Sequence, residues 1–131
     1  MDAEDEIGSL LRLWAKRTRE GLQDQILENH SEQAIIFDVL APLQYKGTKA
    51  YRDSWDAWQP DTVGENVFQI EDLQITAMQD IGFAHGLIRC GGATPDGKKF
   101  EDIVRATFCL CRLPVGWRIM HQHISMPRRM E

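Results

Sequence analysis

Thr94-Pro95-Asp96-Gly97-Lys98 and Leu113-Pro114-Val115-Gly116-Trp117 are two copies of one turn design, and their reading decides the fold. In each, a proline suited to opening a type I turn is followed two residues later by a glycine able to take the left-handed conformation. A three-residue hairpin loop of this kind fixes the pairing of the strands on either side. Pairing position 94 with 98 and 113 with 117 sets position 107 opposite 85 on one side and 123 on the other. Position 105 then faces 87 and 125, and neighbouring rows follow in steps of two.

These rows divide the sheet into two faces. One carries Phe83, His85, Leu87, Arg89, Ile103, Arg105, Thr107, Cys109, Ile119, His121, His123 and Ser125, a mixed set holding every histidine of these strands. The other carries Ala84, Ile88, Cys90, Val104, Ala106, Phe108, Leu110, Met120, Ile124 and Met126, nearly all apolar. An apolar face of that extent needs a cover, either helices or a second subunit, and periodicity alone leaves both open.

Working outward, Ile7, Leu10, Leu11 and Trp14 stand at the i, i+3, i+4, i+7 spacing of one helix face. Arg12, Lys16, Arg17 and Arg19 fall on or near the other side, and the pattern predicts a helix over 4–20. Gly21 interrupts it, and Leu22, Ile26 and Leu27 predict a second short helix ending near Asn29-His30-Ser31. Residues 34–40, rich in β-branched and aromatic side chains, read as a buried strand that carries one carboxylate, Asp38. Thr48–Trp58 reads as a helix with a threonine cap and Tyr51, Trp55 and Trp58 at helical spacing. Strands are expected over 66–79, 82–92, 99–113 and 117–126. Helices followed by a run of strands indicate an α+β domain with helices packed on one face of a mostly antiparallel sheet. No linker or repeat divides residues 1–131, so one domain is expected.

Composition excludes several classes. A chain of 131 residues with 43% hydrophobic and 27% charged residues matches a soluble globular domain rather than a disordered or fibrous one. A net charge of −5 opposes non-specific attraction to nucleic acid or anionic lipid. No apolar run approaches the length of a membrane span, and the acidic opening Met1-Asp2-Ala3-Glu4-Asp5-Glu6 is unlike a secretory signal. Three cysteines form no complete disulfide framework, so a cytoplasmic location is expected.

Asp102-Ile103-Val104-Arg105-Ala106-Thr107, followed by Gly116-Trp117-Arg118-Ile119-Met120-His121-Gln122-His123-Ile124-Ser125-Met126-Pro127, carries a family resemblance. The pattern is similar to the Arg-x-Thr and Gly-x-Trp-x-x-x-His-x-His-x-Ser endings of the SnoaL-like, ketosteroid isomerase-like families of the nuclear transport factor 2-like superfamily. Gly47 with Tyr51 and Trp55 resembles the helix after the first strand in those families, and the order of elements matches over almost the whole chain. The resemblance implies a cystatin-like cone: a curved, mostly antiparallel sheet wrapped around N-terminal helices, with a pocket between them and a homodimer through the outer sheet face. It further implies that the mixed face with Arg105, Thr107, His121 and His123 is concave and lines the pocket. The apolar face, with Phe108 and Ile124, would then meet the partner subunit. Asp38 falls where the isomerases carry a carboxylate that moves a proton. The tyrosine and second acid of the isomerase oxyanion hole have no match here. The superfamily spans isomerases, cyclases, hydrolases, dehydratases and catalytically silent association domains, so fold alone does not choose the chemistry.

Taken residue by residue, Asp38 among apolar neighbours is suited to general acid–base work, while an aspartate at a strand end equally caps a turn. His123 is the candidate proton donor, with His121, His85 and Thr107 beside it as ligand contacts. Sheet histidines are also commonly satisfied by hydrogen bonds alone. Arg105 is suited to holding a carboxylate or enolate oxygen, or to pairing with Asp38, Glu101 or Asp102. Trp14, Tyr51, Trp55 and Trp58 are candidate pocket walls as well as core. His121-x-His123 with His85 lacks a carboxylate on the same rows, so no metal is assigned, and no phosphate loop or other cofactor motif is present. The sequence therefore reads as a cone domain that binds a small, largely apolar carbonyl or acid compound. Two functions remain open: cofactor-independent proton transfer of isomerase, cyclase or lyase type, and a non-catalytic ligand-binding or association module.

Overall fold

Asp2 and Asp5 start the first helix reciprocally, Asp2 Oδ1 accepting from the Asp5 amide at 2.8 Å and Asp5 Oδ2 from the Asp2 amide at 3.4 Å. In this computed structural model, which describes residues 1–58 and 62–130 without the side chains of residues 57 and 58, that helix is α1 (Ala3–Glu20). It ends at Gly21, whose φ of 69° lets the Leu22 amide reach back to the Arg17 carbonyl at 3.0 Å. The short second helix expected after Gly21 is absent. Residues 22–29 form successive turns in which the Gln25, Glu28 and His30 amides each bond three residues back. So short a segment closes too few bonds to offset the cost of nucleating a helix.

The remaining elements are β1 (His30–Phe37), β2 (Tyr45–Lys46), α2 (Thr48–Trp58), β3 (Val63–Met78), β4 (Ile81–Ala93), β5 (Lys99–Leu113) and β6 (Gly116–Ser125). They build one six-stranded sheet in the order β2-β1-β6-β5-β4-β3, antiparallel except for the β1–β6 pair. The first strand starts and stops earlier than expected from sequence. Asp38 Oδ1 accepts the Val39 amide at 2.7 Å, a local bond that competes with the ladder where β1 ends.

The rows derived from the turns are present: His85 pairs Thr107, Thr107 pairs His123, Leu87 pairs Arg105 and Arg105 pairs Ser125. The second turn differs in detail. Leu113 pairs Gly116, so the loop has two residues rather than three, and Gly116 takes φ 116°. The ladder recovers its register between Cys109 and Leu110 through a bulge with Met120 as the extra residue. Consequently Ile119 moves off the mixed face and is fully buried beside Leu110.

The assignment of faces implied by the resemblance is reversed. Ile7, Leu11, Trp14 and Ala15 of α1 share one buried cluster with Ala84, Ile88, Val104, Ala106, Phe108 and Leu110, so the apolar face is the inner one. Trp14 meets Phe68 and Phe108 edge-on at 5.3 and 5.2 Å. Phe108 and Ile124 are buried within the chain, so neither faces a partner subunit. The physical reason is that the apolar stripe of α1 and the apolar sheet face cover each other, while the mixed face keeps its charged and imidazole groups hydrated. A Cβ on Gly82 would stand 2.8 Å from Ile7 Cδ1, so glycine there lets α1 approach β4. Trp117 Nε1 donates to Glu6 Oε2 at 3.0 Å and ties the last strand to the helix. No helix among the described residues is long and apolar enough to cross a membrane.

One polar pair is sealed in this core. His30 Nε2 and Gln122 Oε1 are 2.7 Å apart, His30 is 5% exposed and Gln122 is fully buried. Burial disfavours the imidazolium and lowers the His30 pKa from 6.5 to about 4, the bond to Gln122 opposing only in part. Above about pH 6.5 both folded and unfolded chains hold this group neutral, and the contribution to stability is complete. As pH falls toward 4 the unfolded chain takes up the proton first, so about 3 kcal/mol of stability is lost across that window. Urea titrations at pH 7.5 and 4.5 measure this loss. A His30→Phe chain with the same pH dependence would refute it.

Candidate functional site

A cavity of about 320 Å³ opens between α1, α2 and the inner sheet face. The volume lies near the lower end of small-molecule sites, roughly 300–1,000 Å³. Aromatic rings from separate elements form its walls: Trp14 from α1, Tyr51 and Trp55 from α2, Phe68 from β3 and Phe100 from β5. Ile88, Cys90, Val104 and Ile124 supply the sheet floor. Tyr51 packs on Tyr45 and Trp55, with ring centroids 5.1 and 5.5 Å apart, which holds the phenol in place.

Asp38 lies on this wall, directly after β1. Tyr51 Oη donates to Asp38 Oδ2 at 2.5 Å while Oδ1 accepts from the Val39 amide, so each carboxylate oxygen has one donor. Short bonds of this kind are typical of a hydroxyl donating to a charged oxygen. Burial, then the charge of Asp38 and the bond to it, raise the Tyr51 pKa well above 10.0. Tyr51 therefore stays a neutral donor at ordinary pH. Each carboxylate oxygen keeps a further lone-pair direction for a ligand proton.

Of the residues singled out from sequence, Asp38, Trp14, Tyr51 and Trp55 come together in this cavity. Trp58 ends α2, and its side chain lies outside the described residues. The others do not join them. His85, Arg105, Thr107 and His123 are exposed on the outer face, where Arg105 Nε donates to Ser125 Oγ at 3.2 Å rather than pairing with Asp38. His121 is half-buried on that face, its Nδ1 2.7 Å from the Ile35 carbonyl and its ring 4.7 Å from that of Phe37. Among the described residues no three His, Cys, Asp or Glu side chains cluster as metal ligands.

Sequence reasoning missed Arg19, Asn66, Phe68 and Phe100 as lining residues. Arg19 follows Leu11 and Ala15 at successive steps of four, so it continues their stripe, although its charge groups it with Arg12, Lys16 and Arg17 near the polar side. Phe68 alternates with Ile70 on the strand and was readable by period two. Asn66 Oδ1 is buried without a hydrogen-bond partner among the described residues, and it sits 2.7 Å from where a Cβ on Gly92 would stand. No sequence signal marks that contact.

The family model of the SnoaL-like domain aligns with residues 7–129. The chain belongs to the SnoaL-like family. Among solved structures this SnoaL-like domain is similar to an NTF2-like protein of unknown function from Pseudomonas putida KT2440. That pair shares 32% identity with a TM-score of 0.86, over 98% of this chain and 89% of that one. The fold is also similar to a ketosteroid isomerase-like protein from Erwinia carotovora atroseptica SCRI1043, at 9% identity and TM-score 0.79 over 98% of each chain. A CaMKII hub from S. rosetta matches at 15% identity and TM-score 0.81, over 95% of this chain and 97% of that one. The last two likenesses concern the fold alone. No curated protein matches this SnoaL-like domain significantly.

Proposed function

We propose that this SnoaL-like domain binds a small organic molecule in its aromatic cavity and that Asp38 moves a proton to or from it without a cofactor. The observation that carries the reading is the Asp38 carboxylate on the cavity wall, held at 2.5 Å by the buried Tyr51 phenol. A carboxylate fixed on the wall of a largely apolar cavity is placed to take a proton from a bound molecule or return one to it. Tyr51 acts as a positioning residue, because its donor goes to Asp38. Arg105, His121 and His123 take no part, since they stand across the sheet. The test is incubation with small ketones and enolisable acids in heavy water, following loss of the α-C–H signal by NMR. Protein-dependent exchange that disappears in Asp38→Asn supports the assignment; exchange that survives unchanged in Asp38→Asn overturns it.

A second property of the same chain is supported by the outer face. Ile81 and Phe83 stand 65% and 48% exposed at one end of that face, and Ile103, 48% exposed, stands opposite Arg89 further along it. A homodimer through this face covers them and leaves the cavity open. Light scattering is expected to give twice the chain mass, and Phe83→Lys with Ile103→Lys is expected to return it to one. A monomeric wild type at high concentration sinks the assembly and with it the association-module reading.

A further inference from the structure

The described cavity lining carries two charged side chains, Asp38 and Arg19; Asp38 is engaged by Tyr51, whereas Arg19 has no carboxylate partner among the described residues. Its neighbours in the last turns of α1 are paired, Lys16 with Glu20 at 3.6 Å and Arg17 with Glu28 at 3.2 Å. Arg19 instead donates Nη1 to the Phe68 backbone carbonyl at 3.0 Å, which fixes the guanidinium against a cavity wall. It forms no ion pair among the described residues. An exposed side chain that also lines the cavity stands at its mouth. A guanidinium offers five donors in a rigid fork that suits a carboxylate, and one bond to a carbonyl leaves the rest available.

We infer that the ligand of this cavity is an aromatic or alicyclic monocarboxylate, its acid group held by Arg19 and its ring among Trp14, Trp55 and Phe68. The inference rests on the reading of the cavity as a ligand site and names the class of that ligand. A single cation at the mouth favours a monoanion over a phosphate dianion, which a chain of net charge −5 also repels. The aromatic walls favour a flat apolar body. Arg19 then holds the acid group, a contact for which the sequence alone suggests Arg105.

The experiment is calorimetric titration of the full chain with naphthoate, naphthamide and naphthylmethylammonium, repeated with Arg19→Gln and Arg19→Lys. Naphthoate is expected to bind wild type about tenfold more tightly than naphthamide, as one charge-assisted contact at a partly exposed site warrants. Arg19→Gln is expected to remove that advantage, and Arg19→Lys to keep part of it. Equal binding of naphthoate and naphthamide, or an advantage that survives in Arg19→Gln, overturns the inference while leaving the cavity a ligand site. Tightest binding of the ammonium overturns it in favour of Asp38 as a counterion. Failure of all three probes to bind overturns the ligand-site reading itself, and this inference falls with it.

Discussion

Asp38→Asn is expected to lower any proton-transfer rate of this SnoaL-like domain by about 10²–10⁴-fold, the range set by loss of a positioned general base. The amide keeps the size of the carboxylate; its oxygen can accept the Val39 amide while its NH2 donates to the Tyr51 hydroxyl oxygen, so the fold is expected to persist. What it loses is the negative charge and the basic lone pair. Ligand binding should change far less than turnover, because the walls and Arg19 are untouched. Tyr51→Phe provides the graded comparison. It leaves Asp38 ionisable but removes the 2.5 Å donor, so the rate is expected to fall by about tenfold, less than in Asp38→Asn, through loss of orientation rather than loss of the base. Deuterium exchange rates of the three proteins measure the order. A Tyr51→Phe rate below that of Asp38→Asn would make the phenol, not the carboxylate, the reacting group.

The order of these effects depends on a site that the sequence showed only in pieces. Proline, aspartate and glycine at 95–97 pin one hairpin, and the rows through Thr107 follow from that turn by counting. The second hairpin is one residue tighter than its chemistry suggested, yet the bulge at Met120 returns the ladder to the same register by His121. Two deviations cancel beyond Met120, and the shifted pairing is confined to residues 116–119. The faces were sorted correctly but assigned to the wrong sides. The information needed was present, since the stripe Ile7, Leu11 and Trp14 must cover apolar surface, and the sheet offers one face of that kind. The family resemblance implies instead that Arg105, His121 and His123 line the cavity, which they do not reach. Asp38 was legible because a carboxylate in an apolar run is unusual. Its partner Tyr51 was not legible as a partner, because the two are separated by a loop and β2, and the spacing of α2 marks Tyr51 only as an inward side chain. Local periodicity reports which way a residue faces. It does not report which residue from another element it meets.

Trp14→Ala is expected to be the most destabilising change at the site, by about 3–5 kcal/mol, as for other buried aromatic truncations. Trp14 is 5% exposed and is the point where α1 touches both Phe68 of β3 and Phe108 of β5. Removing the indole takes two edge-on aromatic contacts and a large buried area from one helix. One side of the ring already borders the cavity and has fewer atoms to lose, which places the cost toward the lower end of that range. For a chain of this length the loss corresponds to a fall in Tm of roughly 10 °C. Leu13→Ala on the same helix is the control, since Leu13 is 37% exposed and its truncation should cost well under half as much. Urea unfolding of both variants decides the matter, with unchanged m-values showing that only stability has moved. Equal costs for Trp14→Ala and Leu13→Ala would mean that α1 is held elsewhere, by Ile7, Leu11 and the Glu6–Trp117 bond. Trp14 would then serve the ligand alone. A large cost for Trp14→Ala, with naphthoate binding lost even where the protein remains folded, would tie stability and recognition to the same indole. The cavity would then be a gap left open in the core, its walls maintained by the residues that hold the helix to the sheet.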